Sequence, residues 1–284
     1  MRLKTSWNSL FIGSLLFTFG CLAFSYVLAW IGKDAHAKGN FPTFVFENYE
    51  KGAPGKEVHL TKILPADRFE KLVVQSDSGD IHIKLSADDQ IHVAFSGHLS
   101  SEQEAGWLVE DRSARTLMLN LTDRSQGTFP FINWSSSSSK LEVALPQAKL
   151  MALTVHVGSG DVLVERVGFS RVEVKSGSGD LELHLEGAGE LILQTGSGEI
   201  DLDGKVKRID VDTGSGDVKA RLGESPTQLK ISTGSGDVEL RAPSLSGWIR
   251  TKTGSGDVSN SLGTSGGPEI GSIRTGSGDI TISK

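Results

Sequence analysis

Residues 208–222 read RIDVDTGSGDVKARL, and residues 228–240 read QLKISTGSGDVEL. Each stretch alternates apolar and polar residues on both sides of a Thr-Gly-Ser-Gly-Asp core. Ile209 and Val211 precede the first core, and Val218, Ala220 and Leu222 follow it. Leu229 and Ile231, then Val238 and Leu240, repeat the arrangement in the second. An apolar period of two belongs to a strand with one buried face. Glycine supplies the positive φ that a tight turn needs. The unit is therefore strand, tight corner, strand, looser turn.

The corner recurs eight times, beginning with Asp77-Ser78-Gly79-Asp80. The later copies start at Gly158, Gly177, Gly196, Gly214, Gly234, Gly254 and Gly276, at spacings of 19, 19, 18, 20, 20 and 22 residues. A fixed period of this length marks a solenoid, whose repeats contact only their neighbours. The spacing predicts an all-β, parallel β-helix-like solenoid. Its coils of 18–22 residues stack in chain order, about 4.8 Å apart. A propeller blade needs about 40 residues and fits poorly, so an antiparallel sandwich is the structural rival. Pro226, Pro243 and Pro268 fall in the looser turns, where they remove no ladder donor.

Between the first two corners, residues 91–95, 116–121 and 141–145 read as degenerate coils or paired strands. Residues 122–139, TDRSQGTFPFINWSSSSS, show no alternation and read as an irregular projecting insertion. The domain reading is an N-terminal membrane anchor over 1–32, a linker and capping segment over 33–69, and the repeat domain over 70–284.

The anchor rests on residues 10–31, an uncharged run of 22 residues. At 1.5 Å per residue it spans about 33 Å, enough to cross a bilayer. Arg2 and Lys4 ahead of it favour a cytoplasmic N-terminus, which places the bulk of the chain outside the cytoplasm, in the periplasm or at the cell surface. Cleavage after Ala35-His36-Ala37 and lipidation at Cys21 are the rival readings. The formal charge of −6 and the absence of Lys/Arg clusters argue against nucleic acid. A single cysteine permits neither an internal disulfide nor a cysteine-based metal site.

The GSGD corners following alternating strands, behind an N-terminal apolar segment, resemble those of the bacterial putative-adhesin family of β-strand repeat proteins. That family is a domain of unknown function found in envelope proteins. The resemblance covers roughly residues 70–284, departs from it at Asp77, and implies a right-handed β-helix-like fold outside the cytoplasm. It carries no catalytic or ligand residues.

The acidic ladder Asp80, Asp161, Asp180, Glu199, Asp217, Asp237, Asp257 and Asp279 has two readings. Carboxylates accept hydrogen bonds from turn N–H groups, and they also suit hard cations. The structural reading is favoured, with no metal expected. Ser176, Thr195, Thr213, Thr233, Thr253 and Thr275 form a second ladder whose parity points inward. No HExxH, nucleophile elbow or phosphate loop occurs. No catalytic residue and no cofactor is therefore expected. Phe129, Phe131 and Trp134, in the irregular insertion, are the candidate contacts for a protein or an envelope polymer. The function expected is a non-enzymatic, membrane-anchored binding or scaffold module. A polysaccharide or cell-wall lyase or hydrolase on a β-helix, and an accessory of envelope-stress sensing, stand as alternatives.

Overall fold

A computed structural model describes residues 56–99, 104, 106–122, 139–146, 151–262 and 267–284. Residues 10–31 and the cysteine lie outside this set. Among the described residues no helix is long and apolar enough to cross a membrane. Those residues form an all-β fold, with eighteen strands joined in one hydrogen-bonded sheet system that winds into coils.

The centre of the stack follows the sequence reading. Strands β8 (Ala152–Ser159), β9 (Val162–Ser178), β10 (Leu181–Ser197) and β11 (Ile200–Ser215) are separated only by two-residue corners. Each strand pairs in parallel with the next. The stack continues through β12 (Val218–Leu222), β13 (Gln228–Ser235) and β14 (Val238–Arg241). Apolar side chains at equivalent positions stand in ladders. Val174, Leu193, Val211 and Ile231 are in register before the corner. Val164, Leu183, Leu202, Ala220 and Leu240 are in register after it. All nine are buried, and each aliphatic side chain contributes at most about 1.5–3 kcal/mol by leaving water. The looser turns of β9, β10 and β11 are bends within continuous strands, marked by register shifts near Leu185. Where Pro226, Pro243 and Pro268 stand, the strands stop instead, because proline offers no N–H to the ladder.

Both ends of the stack depart from chain order, which corrects the expectation of sequential stacking. The last coil in sequence consists of β17 (Glu269–Ser277) and β18 (Ile280–Ser283). It lies between the coil of β13 and β14 and the coil of β15 (Trp248–Ser255) and β16 (Val258–Asn260). Ile273 is thus in register with Ile231 on one side and Thr251 on the other, and Ile282 with Leu240 and Asn260. Composition accounts for the exchange. The coil carrying Thr251 and Asn260 at core positions takes the outside, and the isoleucine-bearing coil goes in, where Ile273, Ile280 and Ile282 are buried. A polar outer face is what a terminal repeat requires.

The other end repeats the manoeuvre and then closes. Strands β2 (Lys71–Ser78) and β3 (Asp80–Leu85) form the first coil. It lies between β8 and β9 on one side and β6 (Thr116–Leu121) and β7 (Lys140–Leu145) on the other. The outer edges of that terminal coil are covered by antiparallel strands. β5 (Leu108–Asp111) pairs with β6, β4 (Gln90–Leu99) with β7, and β1 (Lys56–Pro65) with β4. Phe69, Phe95 and Trp107 are buried there. Covering strand edges this way prevents unwanted pairing.

Candidate functional site

The corners form one long edge of the stack, and their acids bond from coil to coil. The Asp161 carboxylate accepts the Asp180 N–H at 2.9 Å, and the Asp180 carboxylate accepts the Glu199 N–H at 2.8 Å. The same bond runs from Asp161 N–H to Asp80, Asp237 N–H to Asp217, Asp279 N–H to Asp237, and Asp257 N–H to Asp279. The carboxylate therefore does not close its own corner as an Asx turn would; it ties its corner to the adjoining one. Glu199, one methylene longer, reaches Lys219 at 2.5 Å instead. The second ladder lies inside, as parity predicts: Ser176, Thr195, Thr213, Thr233 and Thr275 are buried. Thr195 donates to the Ser197 carbonyl at 3.0 Å, and Thr275 to the Gly236 carbonyl at 3.0 Å. Among the described residues, no group of acids, histidines or cysteines is arranged to hold a metal ion.

A structural ladder carries an expected result. Millimolar calcium leaves the melting temperature within about 2 °C, whereas a specific site at a hundred times its dissociation constant would add about 2.7 kcal/mol. Asp180→Ala costs about 1 kcal/mol by leaving the Glu199 N–H unmet, and Asp180→Asn costs less because an amide oxygen can still accept. A calcium-dependent rise in melting temperature that Asp180→Ala abolishes would overturn the assignment.

The departure at Asp77 has a local explanation. A side-chain carbon at Gly158 would sit 2.4 Å from the Asp77 carbonyl oxygen, so the inner coil needs glycine. Outside Asp77, the pairing of β2 with β6 stops at Ser76 and Leu121, so among the described residues no paired strand continues beside it. Strands β6 and β7 of the outermost coil flank the sequence insertion. Phe129, Phe131 and Trp134 lie outside the described residues.

On the opposite edge the looser turns leave a groove of about 570 Å³, open to solvent. It crosses the turns at Met151, Phe169, Gly187, Val206 and Ser225. Gly187 is in register with Gly168, and a side-chain carbon at Gly187 would meet nothing within 4 Å. Its φ is not positive either, so neither backbone conformation nor close approach demands glycine there. What the missing side chain does is keep the floor of the groove low. Met151 is 56% exposed at one end, and Lys205 pairs with Glu224 at 3.5 Å at the other. Sequence reading missed this site, because Gly187 looks like any other glycine in a glycine-rich chain.

The solvent faces carry ion pairs between neighbouring coils, such as Arg221 with Asp201 at 2.7 Å and Lys230 with Asp210 at 2.9 Å. These pairs are exposed and weak singly. His82 meets Glu165 at 2.6 Å. Burial holds the half-buried His156 imidazole below the ordinary histidine range, and the Lys175 charge adds to the effect. His156 is therefore neutral near pH 7, and the stability it contributes falls as pH drops below its unfolded value of about 6.5.

No curated protein matches the chain. Solved structures do. A "putative adhesin" from Bacteroides fragilis is 17% identical, with 81% of this chain and 99% of that one covered and a TM-score of 0.48. A "putative adhesin" from Parabacteroides distasonis is 14% identical, covering 80% and 98% with a TM-score of 0.40. A "putative lipid binding protein" from the same species is 18% identical, covering 80% and 98% with a TM-score of 0.38. Residues 69–284, from just ahead of the first coil to the last, match the Toastrack DUF4097 family, and the chain belongs to that family.

Proposed function

We propose that the chain is a non-enzymatic envelope protein that works by binding, as an adhesin-like or scaffold module. In this reading residues 10–31 tether it and residues 33–284 lie outside the cytoplasm. The observation that carries it is the groove floored by Gly187, a glycine that the fold does not need. An open channel of about 570 Å³ falls within the range of ligand sites. Its mixed apolar and polar lining, drawn from consecutive coils, suits an extended envelope polymer. The insertion bearing Phe129, Phe131 and Trp134 is the second contact surface of this proposal, since irregular segments on rigid scaffolds carry recognition.

The test is sedimentation of the full-length protein with purified envelope polymers. Gly187→Phe fills the groove and is expected to leave β circular dichroism and melting unchanged while abolishing co-sedimentation. Deletion of residues 127–139, or Phe131→Ala with Trp134→Ala, weakens capture without unfolding the stack. Undiminished capture by both the Gly187→Phe and deletion variants would sink the proposal. Turnover of the polymer, lost on changing one acidic residue, would replace it with a lyase or hydrolase.

A further inference from the structure

The stack has one sealed end and one open end. Beyond β15 and β16 no strand pairs among the described residues. The corner bonds show what this end displays. In the inner coils, each corner glycine N–H donates to a serine carbonyl of the adjoining coil. The N–H two residues on donates to that coil's acidic-residue carbonyl. Gly198 with Ser215, and Ile200 with Asp217, are one such pair, and Gly278 with Ser255, and Ile280 with Asp257, are the last. Each aspartate carboxylate of the inner coils also receives an N–H from that same adjoining coil, down to Asp279 receiving Asp257, with Glu199 as the exception. At the terminal corner the Gly256 N–H, the Val258 N–H and the Asp257 carboxylate occupy these positions, with no coil beyond them among the described residues. They form a template for the backbone of one more extended strand, with two carbonyls spaced two residues apart and one N–H between.

Charge selects the strand. On the outer face, Lys252 stands in register with Arg274, and both are exposed. Neither has an ion pair among the described residues. Arg250 is the neighbouring outward residue of β15. It pairs with Glu269 at 2.7 Å and lies 5.9 Å from the Trp248 ring centre. Inside the stack a basic strand has an acidic neighbour: β13 with Lys230 lies beside β11 with Asp210 and Asp212. At the open end that neighbour is missing. A second copy would bring Arg250 and Lys252 against their own equivalents, and like charges directly opposite are destabilising.

We infer that the open end, β15 with the corner Gly256–Asp257, is a docking edge for an extended strand of another protein. That strand carries Asp or Glu at the alternate positions facing Arg250 and Lys252. The mode is strand addition, in which main-chain bonds give affinity and alternate side chains give specificity. The inference is independent of the groove, which lies on the edge of the coils opposite the corners.

The probe is a fluorescent peptide of residues 208–218, RIDVDTGSGDV, whose Ser215 and Asp217 carbonyls already fill this role inside the stack. Added to the full chain in detergent, it is expected to bind in the micromolar range. It should bind at least about fivefold tighter than the same peptide carrying Asp210→Lys and Asp212→Lys. Lys252→Glu in the protein, an exposed change that the fold tolerates, reverses the preference. Hydrogen exchange at Gly256 and Val258, fast in the free protein, slows on binding. Absence of binding by either peptide up to about 1 mM, equal binding of both, or self-association of the chain through this edge overturns the inference. The first of these outcomes makes Lys252 a guard against edge pairing.

Discussion

Gly236→Val is expected to destabilise the protein by about 3 kcal/mol or more, read as a shift of the urea unfolding midpoint. The reason is geometric and has two parts. Gly236 has φ 144°, a conformation that side-chain-bearing residues rarely adopt. A side-chain carbon there would also lie 2.2 Å from the Gly216 carbonyl oxygen and 2.6 Å from its carbon. Those atoms are backbone, held by the corner bonds of the preceding coil, and cannot swing away as a side-chain tip would. On the other side, Gly278 would meet the shifted Gly236 carbonyl, which lies 2.2 Å from the position of its own absent side-chain carbon. The strain is thus passed to two neighbours. Gly187→Ala is the internal control. It changes stability by no more than about 0.5 kcal/mol, or raises it slightly through the entropy of the unfolded chain. Equal effects of the two changes would mean that the corners do not stack glycine on glycine.

The contrast between these two glycines marks how far the sequence could be read. Corners, strand parity and inward threonines were legible because each is a local consequence of alternation and turn chemistry repeated many times. The family was legible for the same reason. Spatial order was not legible from spacing, since every corner offers its neighbours the same register. A clue was present, however. Thr251 and Asn260 occupy positions where other coils place aliphatic residues, and a coil with two polar core positions belongs on an end. The direction of the acidic bonds was missed because an aspartate closing its own turn and one reaching the next coil have the same sequence. The groove was missed because its signature is a glycine without a conformational reason, and such a reason is visible only once φ and the surrounding space are known.

The exchanged coil makes the sharpest test of the fold. Ile273→Ala, eleven positions before Lys284, is expected to cost about 3 kcal/mol, within the usual range for a buried aliphatic residue. Ile273 is fully buried, with Ile231 and Thr251 in register on its two sides, and the cavity left by the truncation would be closed off by both neighbouring coils. Val258→Ala, in the coil that precedes it in sequence, costs less than about 1 kcal/mol, because Val258 is 44% exposed on the open end. A solenoid stacked in chain order predicts the opposite ranking. Its last coil would be the exposed cap, so losing a methyl-bearing side chain there would matter little, while Val258 would be enclosed between two coils. Urea unfolding of the two variants decides between the arrangements, and a larger loss at Val258 than at Ile273 would refute the exchange. The same ranking bears on the docking edge. Only if the coil of β15 and β16 is outermost do the Gly256 and Val258 N–H groups face solvent, so the stability measurement tests the premise of strand addition before any partner is sought.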